Sequence, residues 1–437
     1  MMRVSGWGRF PQVETDCIDM RDVADARTAL AEHETLIARG NGRSYGDAAL
    51  NPSCVLSTRR CDHILAFDPE SGRVTVEAGL LLAELLEFAV PRGWFPPVMP
   101  GTKLVTIGGM IAADVHGKNH HVAGTFSRHV EDFLLMMADG SIRRCLPGQS
   151  DRLFEATCGG MGLTGIILEA TIRLMRIETG SLRQETLRAG DFDTAMALCE
   201  ESADHTYGVA WIDCLERGSG LGRALIYRGE HAGRDEAAAA PLAVPRRQTR
   251  RIPFDLPQLV LNPWSIRAFN ELYYRRARPG IALVDYETFF FPLDAILDWN
   301  RLYGRRGFTQ HQCVIPKAAS RAAIRAILER VSESGYGSFL AVLKLFGGEG
   351  DGLLSFPREG YTLTLDFPLN GATLALLREL DAIVADHGGR IYLAKDARAD
   401  AAMMRSGYAR LESFKRIRDT FDPQRKFSSV QSQRLEL

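Results

Sequence analysis

The sequence predicts an α+β protein of two domains, and three observations carry that reading. The chain has 437 residues, more than a single hydrophobic core usually organises. Its first third alternates short β-type runs with glycine-rich turns, whereas the remainder alternates amphipathic helices with strands of antiparallel character. Its apolar content of 46% and charged content of 24% are those of an ordinary soluble globular chain.

In chain order, "ETLIARGNGRSYGD" reads as a strand running into a glycine loop, and "HILAFDPESGRVTVEAG" as a hairpin turning at Ser71-Gly72. "LLAELLEFAVPRG" has helical spacing and stops at Pro91 and Gly93. "VEDFLLMMADGSIRRC" is a second hairpin, turning at Asp139-Gly140. "CGGMGLTGIILEATIRLMR" brings a glycine-rich approach to an apolar strand. From about residue 180 the order is helix ("DFDTAMALCEESADH"), strand ("TYGVAWIDCLE") and strand ("GRALIYRGE"). Later come a helix ("RAAIRAILERVSESG"), strands ("SFLAVLKLFG", "GYTLTLDFPL"), a helix ("TLALLRELDAIVADHGG") and a strand ("RIYLAK"). "YARLESFKRIRDTFDPQRKFSS" is an amphipathic helix stopped at Asp422-Pro423. The expected boundaries are 1–178, 179–385 and a C-terminal segment, 386–437, that returns to the first domain.

A net charge of −1 argues against a general nucleic-acid binder. No apolar run approaches the roughly 20 residues that span a bilayer. "MMRVSGWGRFPQVETD" lacks the apolar core of a signal peptide, so a cytoplasmic location is expected. Cys17, Cys54, Cys61, Cys145, Cys158, Cys199, Cys214 and Cys313 form no C-x-x-C pair and read mostly as small buried apolar residues. Residues 244–278 mix arginines with aliphatic and aromatic side chains. Solvated helix–loop packing is the plainer explanation; contact with an anionic membrane surface is the sharper one.

Three glycine-rich segments carry the chemistry: "RGNGRSYGD" (39–47), "MPGTKLVTIGGMIAADVHG" (99–117) and "GGMGLTGII" (159–167). Gly40, Gly42 and Gly46 in the first, and Gly101, Gly108 and Gly109 in the second, permit close approach of an anion to backbone N–H groups. One such loop is usually a turn; three in one domain suit a long dinucleotide. The spacing G-x-G-x-x-x-G is one residue too long for a nicotinamide fingerprint, and regular βαβ alternation is missing, which disfavours NAD. In "DVHGKNHHVAGTF", His116 and His120 are spaced i,i+4, but Gly117 disfavours a helix and no third ligand stands nearby, so no metal is expected. A polar structural loop remains open for His120, His121 and His129. Gln310 and Gln312 alternate in a strand and share one face.

These motifs, with "DP…KFSSVQS", resemble the FAD-binding oxidases of the vanillyl-alcohol oxidase type. There a two-part, PCMH-type FAD-binding domain is paired with an antiparallel-sheet substrate (cap) domain. "DVHGKNHHVAGTFSRHV", "AWID", "WNRLYG…GFTQHQCVIP", "FLAVLKLFG", "LTLDFP" and "IYLAKDAR" are most similar to the decaprenylphosphoryl-β-D-ribose 2′-oxidase family, in the same order and over nearly the whole chain. That family is the flavoprotein half of an epimerase that makes arabinose donors.

The resemblance implies that Gly40, Asn41, Gly42, Arg43, Ser44, Tyr45, Gly46, Gly101, Thr106, Ile107, Gly108, Gly109, Ala113, Asp114, His116, Ile167 and Tyr392 hold FAD. Arg43 stands where related sugar-alcohol oxidases carry a flavin-linking histidine, so non-covalent FAD is implied. Thr364 replaces a cysteine that members of the family carry two residues before the aspartate of "DFP". His116 and Lys395 are the implied catalytic pair. Lys395 acts either as the base for the hydroxyl proton or as a fixed cation. Lys118, Tyr45, Trp211, Gln310, Gln312, Lys344 and Thr364 would line the substrate, with Lys344 suited to a phosphate.

The implied activity is oxidation of the 2′-hydroxyl of a polyprenyl-phosphate-linked ribose to the 2′-keto sugar. A short-chain reductase would complete the epimerisation, quinone or oxygen would accept electrons, and the chain would touch the inner face of the plasma membrane peripherally. The rival expectation is a sugar-alcohol or aldonolactone oxidase using oxygen. A non-catalytic lipid-sugar binding protein and a zinc hydrolase are more distant.

Overall fold

The computed structural model describes residues 1–237, 240–245, 247–257 and 260–437. Two sheets build the N-terminal region. In the first, Gln12–Asp19 and Ile37–Arg39 run parallel to Cys54–Ser57 between them, with helix Val23–Glu32 as the crossover, and Met2–Ser5 closes one edge antiparallel. One βαβ unit is therefore present where the sequence showed no regular alternation. Ile37–Arg39 is too short to give a periodic signal.

The second sheet is antiparallel, in the order Ile64–Phe67, Arg73–Glu77, Ile166–Arg173, Val130–Met136, Ile142–Cys145. Both expected hairpins lie within it. Helix Leu82–Ala89 buries Leu82, Leu85, Leu86 and Ala89 at i, i+3, i+4 and i+7 against this sheet. The chain passes Pro91 in a 3₁₀ turn before Gly93, at φ 77°, ends it.

The second large body is a mixed-order antiparallel sheet of eight strands: Gly280–Asp285, Ser181–Ala189, Ala224–His231, Tyr207–Ile212, Val342–Phe346, Gly360–Pro368, Phe308–Pro316, Arg390–Ile391. One face is covered by helices Phe192–Glu201, Lys317–Ser334 and Gly371–Asp386. Ile324, Ile327, Leu376 and Leu380 pack there on Leu343, Leu363 and Leu365. Because side chains alternate along a strand, Thr362, Thr364 and Asp366 face the opposite way, toward the N-terminal domain. The register sets Gln310 opposite Asp366 and Gln312 opposite Thr364.

The "RIYLAK" strand is shorter than expected. Only Arg390–Ile391 pair in the sheet, and Tyr392 N donates to Gln312 O. Lys395 N and Asp396 N both fold back onto Tyr392 O, turning the chain out of the sheet. Helix Leu411–Phe421 stops at Asp422 as expected, and Phe427 then bridges to Leu36 in the N-terminal region.

Candidate active site

A cavity of about 510 Å³ lies between the N-terminal sheets and the free face of the eight-stranded sheet, a size typical of small-molecule and cofactor sites. The glycine loops form its first wall. Asn41 Nδ2 donates to Leu104 O at 2.8 Å, tying the first loop to the second. A Cβ on Gly40 would overlap the Thr106 hydroxyl, and one on Gly42, at φ +61°, would overlap the Arg39 guanidinium. Thr106 Oγ1 also caps helix Ile107–Ala112 by accepting from Gly109 N at 3.2 Å. The two loops thus approach each other more closely than residues with side chains allow.

The opposite wall carries the polar chemistry. Lys344 and Lys395 point into the cavity with Gln310, Gln312, Thr364 and Trp211. Gln312 Nε2 lies 3.1 Å from His116 Nε2 and 3.2 Å from Thr362 Oγ1. With the amide as donor in both contacts, His116 Nε2 accepts, and its proton sits on the buried Nδ1, which has no protein partner. Burial, reinforced by Lys344, His120 and Lys395, holds the His116 imidazole well below its ordinary titration range, so it is neutral at neutral pH. Its ring packs against Phe346, Phe356 and Tyr392.

Lys395 Nζ sits 3.7 Å from the centroid of the Tyr45 ring. Burial pushes its pKa down, the Asp366 carboxylate partly restores it, and Lys344 depresses it again. Asp366, which accepts from Gln310 Nε2 at 2.6 Å, is pushed up by the same burial. Burial lowers Lys344 to about 8. Lys118 falls to about 7 through burial and the Lys344 charge; its Nζ donates to Phe289 O and lies over that residue's ring. The cavity therefore gathers amines that exchange protons near neutrality, beside a buried acid that does the same.

Nearly all the residues singled out from the sequence line this cavity: Gly40, Asn41, Gly42, Arg43, Ser44, Tyr45, Gly101, Thr106, Gly108, Gly109, Ala113, His116, Lys118, Ile167, Trp211, Gln310, Gln312, Lys344, Thr364, Tyr392 and Lys395. Arg43 stacks on Trp7 at 4.1 Å, and Tyr392 donates to Ala113 O at 3.2 Å. Gly46, Ile107 and Asp114 do not reach it. Gly46 lies against the backbone of Asp396, with no room for a Cβ. Ile107 is fully buried in the core beneath its helix. Asp114, at φ +38°, is turned inward to accept from Ser127 N at 3.1 Å and Ser355 Oγ at 2.5 Å. His120 and His121 take structural contacts instead, with Gly347 N and with His205 O.

Asp366 is the residue the sequence reading missed. Two positions from Thr364 in one strand, it had to share that residue's face, so alternation alone could have found it. Asp294, which accepts from Thr102 Oγ1 and Lys103 N at 2.8 Å, lines the cavity itself and had no sequence signal.

The residues fit FAD. Gly101 has no heavy atom within 4 Å of where its Cβ would stand, so it opens onto the cavity, and Gly40, Gly42, Gly108 and Gly109 line that cavity with backbone alone. The Arg43 Nε and His116 Nδ1 atoms are buried without protein partners.

Comparison with known proteins agrees. Residues 17–146 match the FAD binding domain family, and residues 363–435 match the D-arabinono-1,4-lactone oxidase family. Decaprenylphosphoryl-β-D-ribose oxidase of Mycolicibacterium smegmatis is 38% identical across 100% of this chain and 97% of its own length. An uncharacterized protein of Streptomyces coelicolor is 36% identical over 82% of this chain and 100% of its own length. L-gulonolactone oxidase of Mus musculus is 29% identical over 35% of each chain. The chain is an FAD-dependent oxidoreductase and belongs to the decaprenylphosphoryl-β-D-ribose oxidase family.

Proposed function

We propose that the chain oxidises the 2′-hydroxyl of a polyprenyl-phosphate-linked ribose to the 2′-keto sugar, using non-covalently held FAD. The observation that carries this reading is one cavity joining a glycine-lined cradle to three half-buried lysines, two glutamines and a neutral histidine. Bound FAD supplies the hydride acceptor. Lys395, whose amine is driven toward its neutral form by burial, takes the hydroxyl proton, and Asp366 holds the proton balance beside it. Gln310 and Gln312 offer neutral hydrogen bonds to sugar hydroxyls. His116 lines the cavity with a neutral ring, and Lys344 meets the phosphate.

Anaerobic mixing of the holoenzyme with polyprenyl-phosphoribose should bleach the flavin absorbance, and free pentoses should not. Bleaching by free sugars alone would reject the substrate reading. Acid precipitation that leaves the yellow colour in the pellet would reject non-covalent attachment. In this reading a separate short-chain reductase consumes the keto sugar, and quinone or oxygen reoxidises the flavin.

Membrane contact at the inner face of the plasma membrane is part of the same reading. Most exposed large hydrophobic residues among those described lie between 254 and 296, including Phe254, Trp264, Leu272, Ile281 and Leu283. Tyr273 and Ile296 of that stretch, with Arg251 just before it, line the cavity. Arg246, Gln258 and Leu259 of the arginine-rich segment lie outside the described residues. Among the described residues no helix is long and apolar enough to cross a membrane.

The match of residues 363–435 to the D-arabinono-1,4-lactone oxidase family favours a second reading, an aldonolactone or sugar-alcohol oxidase. Steady peroxide production with a free lactone or xylitol would select it.

A further inference from the structure

Lys395 is carried on a turn, not on a rigid strand, so something else must fix its amine. Residues 393–395 form that turn, and its neighbours are held from the far end of the chain. Arg434, in the short helix Val430–Arg434, donates from Nε and Nη2 to the two carboxylate oxygens of Asp47, at 3.0 and 2.8 Å. The same Nη2 lies 2.8 Å from Asp396 Oδ2, and Nη1 donates to Ala399 O. Gln431 Nε2 donates to Leu393 O at 2.7 Å. Asp396 Oδ1 holds the chain just after the turn by accepting from Arg398 N and Ala399 N at 2.9 and 2.8 Å.

Asp47 ends the first glycine loop, and Asp396 follows Lys395. Both carboxylates are 1% exposed. Two buried anions this close repel unless a cation lies between them, and a forked guanidinium matches that geometry. The link continues through the backbone: Tyr45 N donates to Ala394 O at 2.9 Å, and Gly46 leaves room for the Asp396 carbonyl. The ring of Tyr45 lies under the Lys395 amine.

We propose that Arg434 is a positioning residue: by bridging Asp47 and Asp396 it fixes the Lys395 turn against the first cofactor loop. This rests on the reading of Lys395 as the proton-handling group. Arg434 does not line the cavity; it acts through the turn. The groups that face the Lys395 amine are Asp366 and Lys344 from the sheet, His116 from the second loop and Tyr45 from the first. None of them hydrogen-bonds to Arg434; Asp366, Lys344 and His116 stand on other elements, and only Tyr45 shares the loop that Arg434 holds.

The test reads Lys395 directly. In the holoenzyme and in Arg434→Gln, Arg434→Lys and Asp396→Asn variants, each lysine's amine reactivity is followed against pH by competitive acylation and peptide mass spectrometry. Release of the turn should expose the Lys395 amine and move its labelling midpoint upward, toward an ordinary lysine. Lys344 should keep its midpoint. Arg434→Lys retains a charge but not the fork and should fall between. Asp396→Asn cuts one arm with little change of shape, and reports the same effect if Arg434→Gln does not fold.

An unmoved Lys395 midpoint in a folded Arg434→Gln or Asp396→Asn protein overturns the proposal, whatever happens to its melting temperature. A moved midpoint together with unimpaired flavin reduction by Lys395→Met would leave the bridge standing and remove Lys395 from the chemistry. The two failures are therefore distinguishable.

Discussion

Gly40 and Gly101 line the same cavity, but the space beside each differs, and this separates protein strain from cofactor contact. A methyl at Gly40 meets the Thr106 hydroxyl. Thr106 would have to leave its cap on Gly109 N, a loss of about 0.5–2 kcal/mol, and the loops would have to part, at about 1–3 kcal/mol for an overpacked methyl. Together these give roughly 1.5–5 kcal/mol. A change of about 1.4 kcal/mol is tenfold in affinity, so strain expressed in the bound form weakens FAD roughly 10- to 4,000-fold. Gly101→Ala meets nothing within 4 Å, so the apo-protein should melt within about 0.5 kcal/mol of wild type. If FAD fills that space, its affinity alone should drop.

The assay is a fluorescence titration of apo-protein with FAD, alongside apo-protein melting curves. Gly40→Ala should lower both affinity and melting temperature, the latter by about 2–4 °C per kcal/mol. Gly101→Ala should lower affinity only. Wild-type FAD affinity in both variants would refute the placement of the cofactor against these loops.

Lys395→Met and His116→Ala should each retain FAD; loss of the proton acceptor should slow flavin reduction about 10²- to 10⁴-fold by stopped-flow absorbance. Undiminished rates in Lys395→Met would exclude the amine from proton transfer. Lys118 and Lys344 titrate near 7 and 8. Their positive charge is therefore lost as pH rises, and the KM for a phosphate-bearing substrate should climb between about pH 6 and 9. Unfolded lysines titrate near 10.4, so between about pH 7 and 10.4 the unfolded chain binds more protons at these two sites than the folded one. Those two sites make the apo-protein more stable as pH rises across that window, measurable by urea midpoints; a Lys344→Met variant should show a shallower rise. The protein should float with anionic liposomes, and Trp264→Asp should weaken flotation. Equal flotation with neutral and anionic vesicles would count against an arginine-driven contact.

What the sequence made legible was chemistry carried by neighbours in the chain. The glycine loops are local: Gly42 needs its positive φ for reasons contained in a few residues. Gln310 and Gln312 share a face because a strand has a period of two, and strand Phe308–Pro316 delivers both to the cavity. What was hidden depends on register between distant strands. Alternation puts Asp366 on the face of Thr364, but its hydrogen bond from Gln310 follows from pairing of Phe308–Pro316 with Gly360–Pro368, which no local pattern states. Asp47 and Arg434 are 387 positions apart, and neither residue type announces the other. Asp114 misled because it stands between two cavity-lining neighbours, Ala113 and Val115; its left-handed backbone turns it the other way.

The bridge between Leu36 and Phe427 has a consequence for how the molecule comes into being. During synthesis the earliest-made strands wait with one flank open while almost four hundred further residues are added. The N-terminal half cannot finish as an independent unit on the ribosome, since a piece of its wall has not yet been translated. A yellow, cofactor-loaded species should first arise only after Phe427 has left the exit tunnel, and nascent chains stalled earlier should stay colourless and depend on chaperones.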